Sequence, residues 1–178
     1  MRDVVVLVLA YLLGSVPFSN LFAVRLRGVD LRTTGTGTVS GTGLYRVAGF
    51  TPLALAGVLD VAKGVVAVLL AGPSRPIVGA LAGTAVVIGH NWSLFLRGSG
   101  GRGLALGRAR EESGLGSFIA LVSVVPVLAV TGGTEPALAG ACVVTPILVK
   151  RVAGNEPASD WNVRVHRLVY DNDGPSPG

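Results

Sequence analysis

Charged residues are scarce in this chain. Asp, Glu, Lys and Arg make up only 14% of its 178 residues, whereas hydrophobic residues make up 50%, and the mean hydropathy is +0.63. A soluble domain of this size carries about 25% charged residues. The shortage therefore excludes an ordinary soluble domain and is typical of a membrane protein.

Cysteine and metal-binding patterns are also lacking. Cys142 is the single cysteine, which excludes an internal disulfide, and its apolar surroundings indicate a small core residue. No group of Cys and His has metal-ligand spacing, so we expect no metal and no other cofactor. A nucleotide motif is excluded as well, because no Gly-Lys-Ser/Thr follows Gly37 and Ser40 stands where a dinucleotide fingerprint requires glycine.

Long runs without charge predict membrane-spanning helices, since about 20 apolar residues suffice to cross the hydrocarbon core. Three such runs have 21, 21 and 22 positions and cover residues 4–24, 76–96 and 113–134. Residues 50–74 form a fourth run that only Asp60 and Lys63 interrupt, and residues 136–149 form a marginal fifth of 14 positions. The sequence therefore predicts an all-α, polytopic transmembrane helix bundle with about five spans.

The distribution of Lys and Arg predicts the orientation of these spans, because short loops rich in these residues stay cytoplasmic. With five spans, twelve of the fifteen Lys and Arg residues fall on one side, and only Arg2 and Arg75 fall on the other. We therefore expect an outside N-terminus, a cytoplasmic C-terminus, a transmembrane domain over residues 1–154 and a polar cytoplasmic tail over residues 155–178. A cleaved signal peptide is the alternative for the first span, but no small-x-small cleavage pattern follows its apolar run.

Two segments between the spans are rich in glycine and arginine. The first, RLRGVDLRTTGTGTVSGTGLYRVAG, begins at Arg25, and the second, LRGSGGRGLALGRAREE, begins at Leu96 and includes Arg102. Glycine-rich backbone can direct its N–H groups toward an anion, and arginine supplies paired donors to phosphate. A flexible linker is the alternative for the first segment alone. Two such segments on one side of the membrane favour an anion site, and the net charge of +5 then suits anionic lipid or anionic substrates rather than nucleic acid.

Asp60 and Lys63 place an ionisable pair within a predicted span. Three residues apart on a helix, they lie on one face and can neutralise each other. Such a pair indicates a functional site that faces the bundle interior or a wet cavity, and the alternative is a structural ion pair that fixes the rotation of the helix. Both interpretations turn this face of the helix away from lipid.

His90 ends a predicted span and is followed by Trp92 at an interfacial position. An isolated histidine beside a helix end is typical of a hydrogen-bonded structural residue rather than of a catalyst. An acyltransferase base of the His-x-x-x-x-Asp type is not supported, because Phe95 stands where that motif has aspartate. The second histidine, His166, lies in the predicted polar tail and is expected to be solvated.

Taken in order, these segments resemble the bacterial acyl-phosphate:glycerol-3-phosphate acyltransferase family of integral membrane enzymes. The resemblance covers about residues 10–106. It is carried by AYLLGSVPFSNLFA at 10–23, RGVDLRTTGTG at 27–37, Arg46, LDVAKG at 59–64 and GHNWSLFLRGSGGRG at 89–103. The motifs follow the order and spacing of the family, and the resemblance implies a helical bundle with active-site loops on its inner side.

The resemblance implies transfer of a fatty acyl group from acyl phosphate to the 1-hydroxyl of glycerol 3-phosphate, giving lysophosphatidic acid for phospholipid synthesis in the bacterial plasma membrane. The implied catalytic residues are Thr36, Arg46 and Arg102. Phosphate binding is implied for Arg32, Gly35, Gly37, Gly100, Gly101 and Gly103, and shaping of the site for Ser15, Asp60, Lys63 and His90. The expected partners are the two substrates and membrane lipid. Acyl phosphate is an activated mixed anhydride, so positioning and charge stabilisation suffice without a dedicated base.

This chain also departs from the family. Thr38 and Gly43 stand where the family has amide side chains, and Ser99 stands where it has a lysine. In the third family motif, Val144 and Ile147 occupy the positions of a His and an Asn. The chain therefore resembles a shortened, diverged member. The alternatives are a catalytically inactive relative that binds a phosphorylated ligand or scaffolds a membrane enzyme, and a transporter component that uses the buried ion pair.

Overall fold

The computed structural model describes residues 1–34, 37–101, 132–153 and 160–170, together with the single residues 123, 126 and 130. All regular structure within these residues is helical, which confirms the predicted all-α class. The helices are α1 (Arg2–Ser15), α2 (Phe18–Arg27), α3 (Gly41–Ala48), α4 (Phe50–Ala71), α5 (Pro76–Asn91), α6 (Thr134–Ala153) and α7 (Trp161–Tyr170), with short 3-10 turns at Leu31–Thr33 and Leu94–Leu96.

Four helical stretches of the described chain are long and apolar enough to cross a membrane. They are α1 together with α2, α4, α5 together with the turn that follows it, and α6. These stretches coincide with four of the five predicted spans. The other predicted span, 113–134, lies almost entirely outside the described residues, so the number of spans and the orientation of the termini stay predictions.

Helix α6 differs from its prediction in length and in what it contains. The charge-free run predicted a span over 136–149, whereas the helix covers 20 residues and includes Lys150 and Arg151 in its last turn. The helix therefore extends past the predicted end of the span at residue 149, and the side of the membrane on which Lys150 and Arg151 lie stays a prediction. Both side chains are buried, because Lys150 Nζ donates to the carbonyl of Gly98 (3.2 Å) and Arg151 Nη1 donates to the carbonyl of Leu168 (3.3 Å).

Pro17 divides the first predicted span into α1 and α2. Proline has no N–H to donate, and the residue before it is disfavoured in a helical conformation. Val16 is accordingly extended, with φ −64° and ψ 114°. The carbonyl groups of Gly14 and Ser15 therefore need donors from elsewhere, while that of Val16 accepts from the N–H of Phe18 (3.2 Å) and can accept a second hydrogen bond; hydrocarbon offers no water as a donor.

Helices α1 and α5 pack backbone against backbone at two glycines. A Cβ atom on Gly14 would lie 2.3 Å from the carbonyl oxygen of Val86, and one on Gly89 would lie 2.3 Å from that of Tyr11. Only glycine permits this approach, as at other close helix crossings in membranes. The crossing brings the end of α1 beside the end of α5, where several of the predicted site residues lie.

The connection from α2 to α3 is anchored to the bundle in its described parts. The side chain of Asn20, which is buried, accepts a hydrogen bond from the N–H of Leu31 (2.8 Å), and Ser40 caps α3 by accepting from the N–H of Gly43 (3.1 Å). One apolar cluster joins this connection to α2, α4 and the second 3-10 turn through Ala23, Leu31, Val39, Leu44, Ala56 and Leu96. These contacts do not suit a flexible linker.

Helix α7 lies within the predicted polar tail. It begins after Asp160, whose Oδ1 accepts a hydrogen bond from the N–H of Asn162 (2.9 Å), and it packs on α6. The domain boundary at residue 154 stays a prediction. The structure nevertheless adds a docked helix to a region for which the sequence analysis predicted only polar chain.

Candidate active site

A polar cleft opens where the α1–α2 break faces the end of α5. Its wall brings together five of the predicted site residues, Ser15, Asp60, His90, Gly100 and Gly101. Ser19, Val39 and Ser93 line it as well, together with the turn from Gly14 to Phe18. Ionisable and polar side chains that face such a recess between largely apolar helices mark a candidate functional site.

Lys63 supplies the donors that the break in the first span requires. Its Nζ donates to the carbonyls of Gly14 (3.0 Å) and Val16 (2.9 Å), and it lies 5.3 Å from the centre of the Phe18 ring. The side chain is only 2% exposed. Its charge is therefore compensated by carbonyl dipoles, by an aromatic face and by a carboxylate, and the cost of burying it is offset by the pairing of carbonyls that hydrocarbon would leave bare.

Asp60 connects this lysine to His90. Its Oδ1 lies 2.6 Å from Lys63 Nζ and 3.7 Å from His90 Nδ1. The contact with Lys63 has the distance of an ion pair but lacks hydrogen-bond alignment, and 3.7 Å is too long for a hydrogen bond to the ring. The contact with Lys63 is therefore an ion pair, and Asp60 and His90 are close neighbours without a hydrogen bond. The structure places the pair inward, as both sequence interpretations required.

The second glycine segment folds back onto the end of α5. The N–H of Gly101 donates to the carbonyl of His90 (3.0 Å), and the N–H of Gly98 donates to that of Ser93 (2.8 Å). A Cβ atom on Gly100 would lie 2.4 Å from the carbonyl oxygens of His90 and Asn91, and one on Gly101 would lie 2.3 Å from His90 Nε2. Close approach to α5 is therefore one reason for glycine at both positions.

The two glycine segments meet at the cleft. The N–H of Val39 donates to the carbonyl of Gly100 at 3.3 Å, which joins the connection before α3 to the loop after α5. This contact agrees with the sequence prediction that both segments serve one site.

Sequence reasoning missed several residues that hold this arrangement together. Ser93, 1% exposed, donates from Oγ to the carbonyl of Ser15 (2.5 Å), which is the third carbonyl released by the break. Tyr11 donates from its hydroxyl to the carbonyl of Trp92 (3.0 Å), and Asn91 Nδ2 donates to that of Pro146 (3.2 Å). The available signal was weak, because single polar residues within or beside apolar runs do not reveal which carbonyl they reach.

Other predicted site residues lie elsewhere or outside the described residues. Arg46 is exposed on α3, and neither it, Arg32 nor Gly37 lines the cleft described above. Arg32 instead forms an ion pair with Asp30 at 2.6 Å, in which its hydrogen bonds lower the pKa of the Asp30 carboxyl despite some desolvation. Four predicted residues fall outside the described chain, namely Gly35, Thr36, Arg102 and Gly103.

The positions that depart from the third family motif are part of the core. Val144 and Ile147 are 6% and 5% exposed and pack with Val87, Val143 and Leu148. Lys150, about one turn after Ile147, instead donates to the carbonyl of Gly98 in the glycine loop and lies 5.3 Å from the centre of the Trp92 ring. Within the described parts of the chain, no group of three or more His, Cys, Asp or Glu residues could hold a metal ion.

Comparisons with known proteins point to one family. The sequence model of a family described as Glycerol-3-phosphate acyltransferase matches residues 4–154. A glycerol-3-phosphate acyltransferase of Shouchella clausii is 43% identical over 99 residues, which are 53% of this chain and 48% of that protein. One of Thermoanaerobacter sp. is 39% identical over 134 residues, which are 74% of this chain and 68% of that protein. The chain thus spans about half to two thirds of the length of these relatives.

Two crystal structures share the fold. Both are of PlsY (YgiH), described as an integral membrane glycerol 3-phosphate acyltransferase. Its lysophosphatidic acid form has a TM-score of 0.69 at 24% identity, covering 85% of this chain and 88% of that chain, and this likeness bears on the fold alone. Its glycerol 3-phosphate form has a TM-score of 0.54 at 27% identity, covering 96% of this chain and 84% of that chain.

Proposed function

Because the chain belongs to the glycerol-3-phosphate acyltransferase family, as its motifs predicted, we propose that it transfers a fatty acyl group from acyl phosphate to the 1-hydroxyl of glycerol 3-phosphate. The hydroxyl oxygen attacks the acyl carbonyl carbon, so an ester C–O bond forms and the bond from that carbon to the phosphate oxygen breaks. The hydroxyl proton leaves with the phosphate. The products are lysophosphatidic acid and hydrogen phosphate.

The observation that carries this proposal is the meeting of the two glycine segments at a polar cleft, through the hydrogen bond from Val39 N–H to the Gly100 carbonyl. Both substrates carry a phosphoryl group, so a site for them needs donors from more than one segment. The chemistry asks little more of the protein, because acyl phosphate has a good leaving group and the main tasks are to orient the reactants and to stabilise negative charge.

The proposed roles of the residues follow from the family motifs. Thr36, Arg46 and Arg102 are the proposed catalytic residues, which contact the phosphoryl groups of the substrates. The backbone of the glycine segments, with Arg32, is proposed to bind phosphate through Gly35, Gly37, Gly100, Gly101 and Gly103. These assignments rest on the motifs, since the described cleft wall includes only Gly100 and Gly101 from these residues.

The buried charges are proposed to position the site rather than to take part in the reaction. Lys63 closes the break beside Ser15, and Asp60 links Lys63 to His90, whose ring and carbonyl support Gly101. This role combines the two interpretations of the ion pair, because a structural contact also shapes the cleft. The protein is a membrane protein, and we propose the plasma membrane of a bacterium as its location.

The test is an acyl-transfer assay with the purified full chain in lipid vesicles. With acyl phosphate and labelled glycerol 3-phosphate, we expect labelled lysophosphatidic acid and release of one phosphate per product. Arg46→Ala should lower the rate about a hundredfold, the range found when a donor to developing negative charge is removed. Arg25→Ala, an exposed arginine on α2 with no proposed role in the site, is the matched control and should retain the rate.

Each outcome of this assay bears on a different statement. A chain that stays silent under conditions in which an intact family member turns over would reject the proposed reaction. Saturable binding of glycerol 3-phosphate without turnover would identify the chain as an inactive relative. An active chain in which Arg46→Ala and Arg25→Ala behave alike would keep the reaction and remove Arg46 from the site.

A further inference from the structure

Helix α7 presents apolar side chains outward, although it is docked on the bundle. Trp161 is 69% exposed and Val165 is 41% exposed, and they lie one turn apart on the same side of the helix. Arg164, between them in sequence, is also exposed. Val163, His166 and Val169, spaced by three residues, are only partly exposed. The helix thus has a more covered side and an outer side that combines a tryptophan with an aliphatic residue and an arginine.

The place where α7 is held sets its depth relative to the membrane. Arg151, in the last turn of α6, is fully buried and donates to the carbonyl of Leu168 at 3.3 Å, so it ties α7 to that end of α6. Helix α6 is one of the stretches able to span a membrane, and its two cations lie at this end. The end of a spanning helix that carries Lys and Arg lies at the boundary between hydrocarbon and headgroups. The Leu168 end of α7 is therefore held at that boundary.

We propose that α7 lies in the headgroup region of the bilayer, with Trp161 and Val165 inserted toward the acyl chains. Tryptophan is enriched at this depth because its ring is apolar while its N–H can reach water or lipid carbonyls. At about 1.5 Å per residue the ten residues span about 15 Å, enough to cover the edge of the bundle without crossing the membrane. In this proposal the outer side of α7 contacts lipid. In the last turn of α6, Val149 is likewise 50% exposed.

Trp161 can report its own depth, because Trp92 is the only other tryptophan. The full chain with Trp92→Phe is reconstituted in phosphatidylcholine vesicles that contain some anionic lipid, and its emission is compared in lipids brominated near the glycerol end or near the methyl end of the acyl chain. We expect shallow bromines to lower the Trp161 emission by about half and deep bromines to lower it less, as for a side chain inserted about 5–10 Å. Trp92→Tyr serves the same purpose if the phenylalanine variant is not recovered folded.

Two further variants keep the experiment specific. Val165→Lys adds a charge one turn from Trp161 on the inserted side and should reduce the quenching by shallow bromines at least twofold. Asn162→Lys adds the same charge at an exposed polar position and is the matched control, in which quenching should stay the same. None of these changes touches a proposed catalytic residue, so the result does not depend on the proposed reaction.

Two outcomes would overturn the inference. Emission that resists brominated lipid but is quenched freely by acrylamide would place Trp161 in water. Emission that resists both quenchers would mean that protein covers it, either another part of the chain or a second copy.

Discussion

Lys63 on α4 and Lys150 on α6 are the only two lysines of the sequence, and both are buried. Each donates to main-chain carbonyls, and each lies 5.3 Å from the centre of an aromatic ring, that of Phe18 or that of Trp92. Their targets differ. Lys63 pairs two carbonyls released by a break within a spanning helix and has Asp60 beside it, whereas Lys150 holds a glycine loop against the end of α5 and α6.

The two lysines should therefore affect different properties. Lys63 should affect the stability of the helix bundle, and Lys150 should affect the position of a loop. A cation that pairs carbonyls of an interrupted spanning helix and also compensates a buried carboxylate supports the packing of that helix, so its loss should act mainly on folding. A cation that donates to a loop carbonyl supports the position of that loop, so its loss should act mainly on the geometry of the cleft. The same kind of contact is therefore expected to have different consequences at the two positions.

The largest effect is expected from Lys63→Met. The change leaves the carbonyls of Gly14 and Val16 without this donor and leaves Asp60 without its cation, so stability should fall by about 3–5 kcal/mol. The measurement is the free energy of unfolding of the purified protein in detergent. Adding Asp60→Asn should recover part of the loss, because it removes the uncompensated carboxylate. An unfolding free energy equal to that of the unchanged chain would mean that the hydrogen bonds from Lys63 to the carbonyls at the break do not stabilise the fold.

Lys150→Met should lower stability less and alter the reaction more. Loss of its hydrogen bond to the Gly98 carbonyl should cost about 1–3 kcal/mol, while the loosened loop should lower acyl transfer about tenfold. Val149→Met, at an exposed position in the same turn of α6, is the control for both measurements. A loss of stability as large as that of Lys63→Met would erase the distinction between the two lysines.

Gly100→Ala tests whether packing holds the same loop. The new Cβ would approach two backbone oxygens at 2.4 Å, and neither can rotate away, so a strain of about 1–3 kcal/mol is expected in thermal unfolding. Gly101→Ala should cost less, because its nearest neighbour is the side chain of His90, which can turn. Gly64→Ala, whose Cβ would enter open space on α4, is the control for adding a methyl group. Equal unfolding temperatures for all three variants would show that the loop can move to accommodate the added methyl group.

The smallest effect is expected at the exposed ion pair of Asp30 and Arg32. Hydrogen bonds from Arg32 lower the pKa of Asp30 below its ordinary value of 3.8, so the pair stabilises the folded chain above that value. The contribution should be at most about 1 kcal/mol and should disappear as the pH falls through the lowered pKa. Thermal unfolding of the unchanged chain and of Asp30→Asn, measured from pH 7 to pH 2, should therefore converge at the acid end. A difference that persists there would assign the effect to something other than the ion pair.

Much of the bundle could be predicted from charge-free runs, since length and hydropathy are what hydrocarbon requires of a helix. The break at Pro17 was also readable in principle, because proline releases carbonyls wherever it interrupts a helix. What the sequence could not show is which side chain pairs them. Lys63 was recognised as costly and as the partner of Asp60, but its contacts with carbonyls 47 and 49 residues earlier depend on how the helices cross.

The site, too, was predicted only in part. Glycine and arginine segments indicated an anion site, and the contact between Val39 and Gly100 agrees with their serving one cleft. The burial of Lys150 and Arg151 was missed, because a charge count treats every cation near the end of a span as solvated and has no means of finding the carbonyls of Gly98 and Leu168. Helix α7 was missed because its polar composition was interpreted as a tail, although Trp161, Val165 and Leu168 recur at helical spacing.

The break at Pro17 also imposes an order on biosynthesis. The ribosome delivers the first helix to the insertion machinery with the carbonyls of Gly14 and Val16 still lacking their lysine, and Lys63 is polymerised 47 residues after Val16. Until α4 arrives, that early segment must stay near water or near another donor, since bare carbonyls are costly in lipid. The nascent chain is therefore expected to wait at the translocation site until its first four helices can leave together.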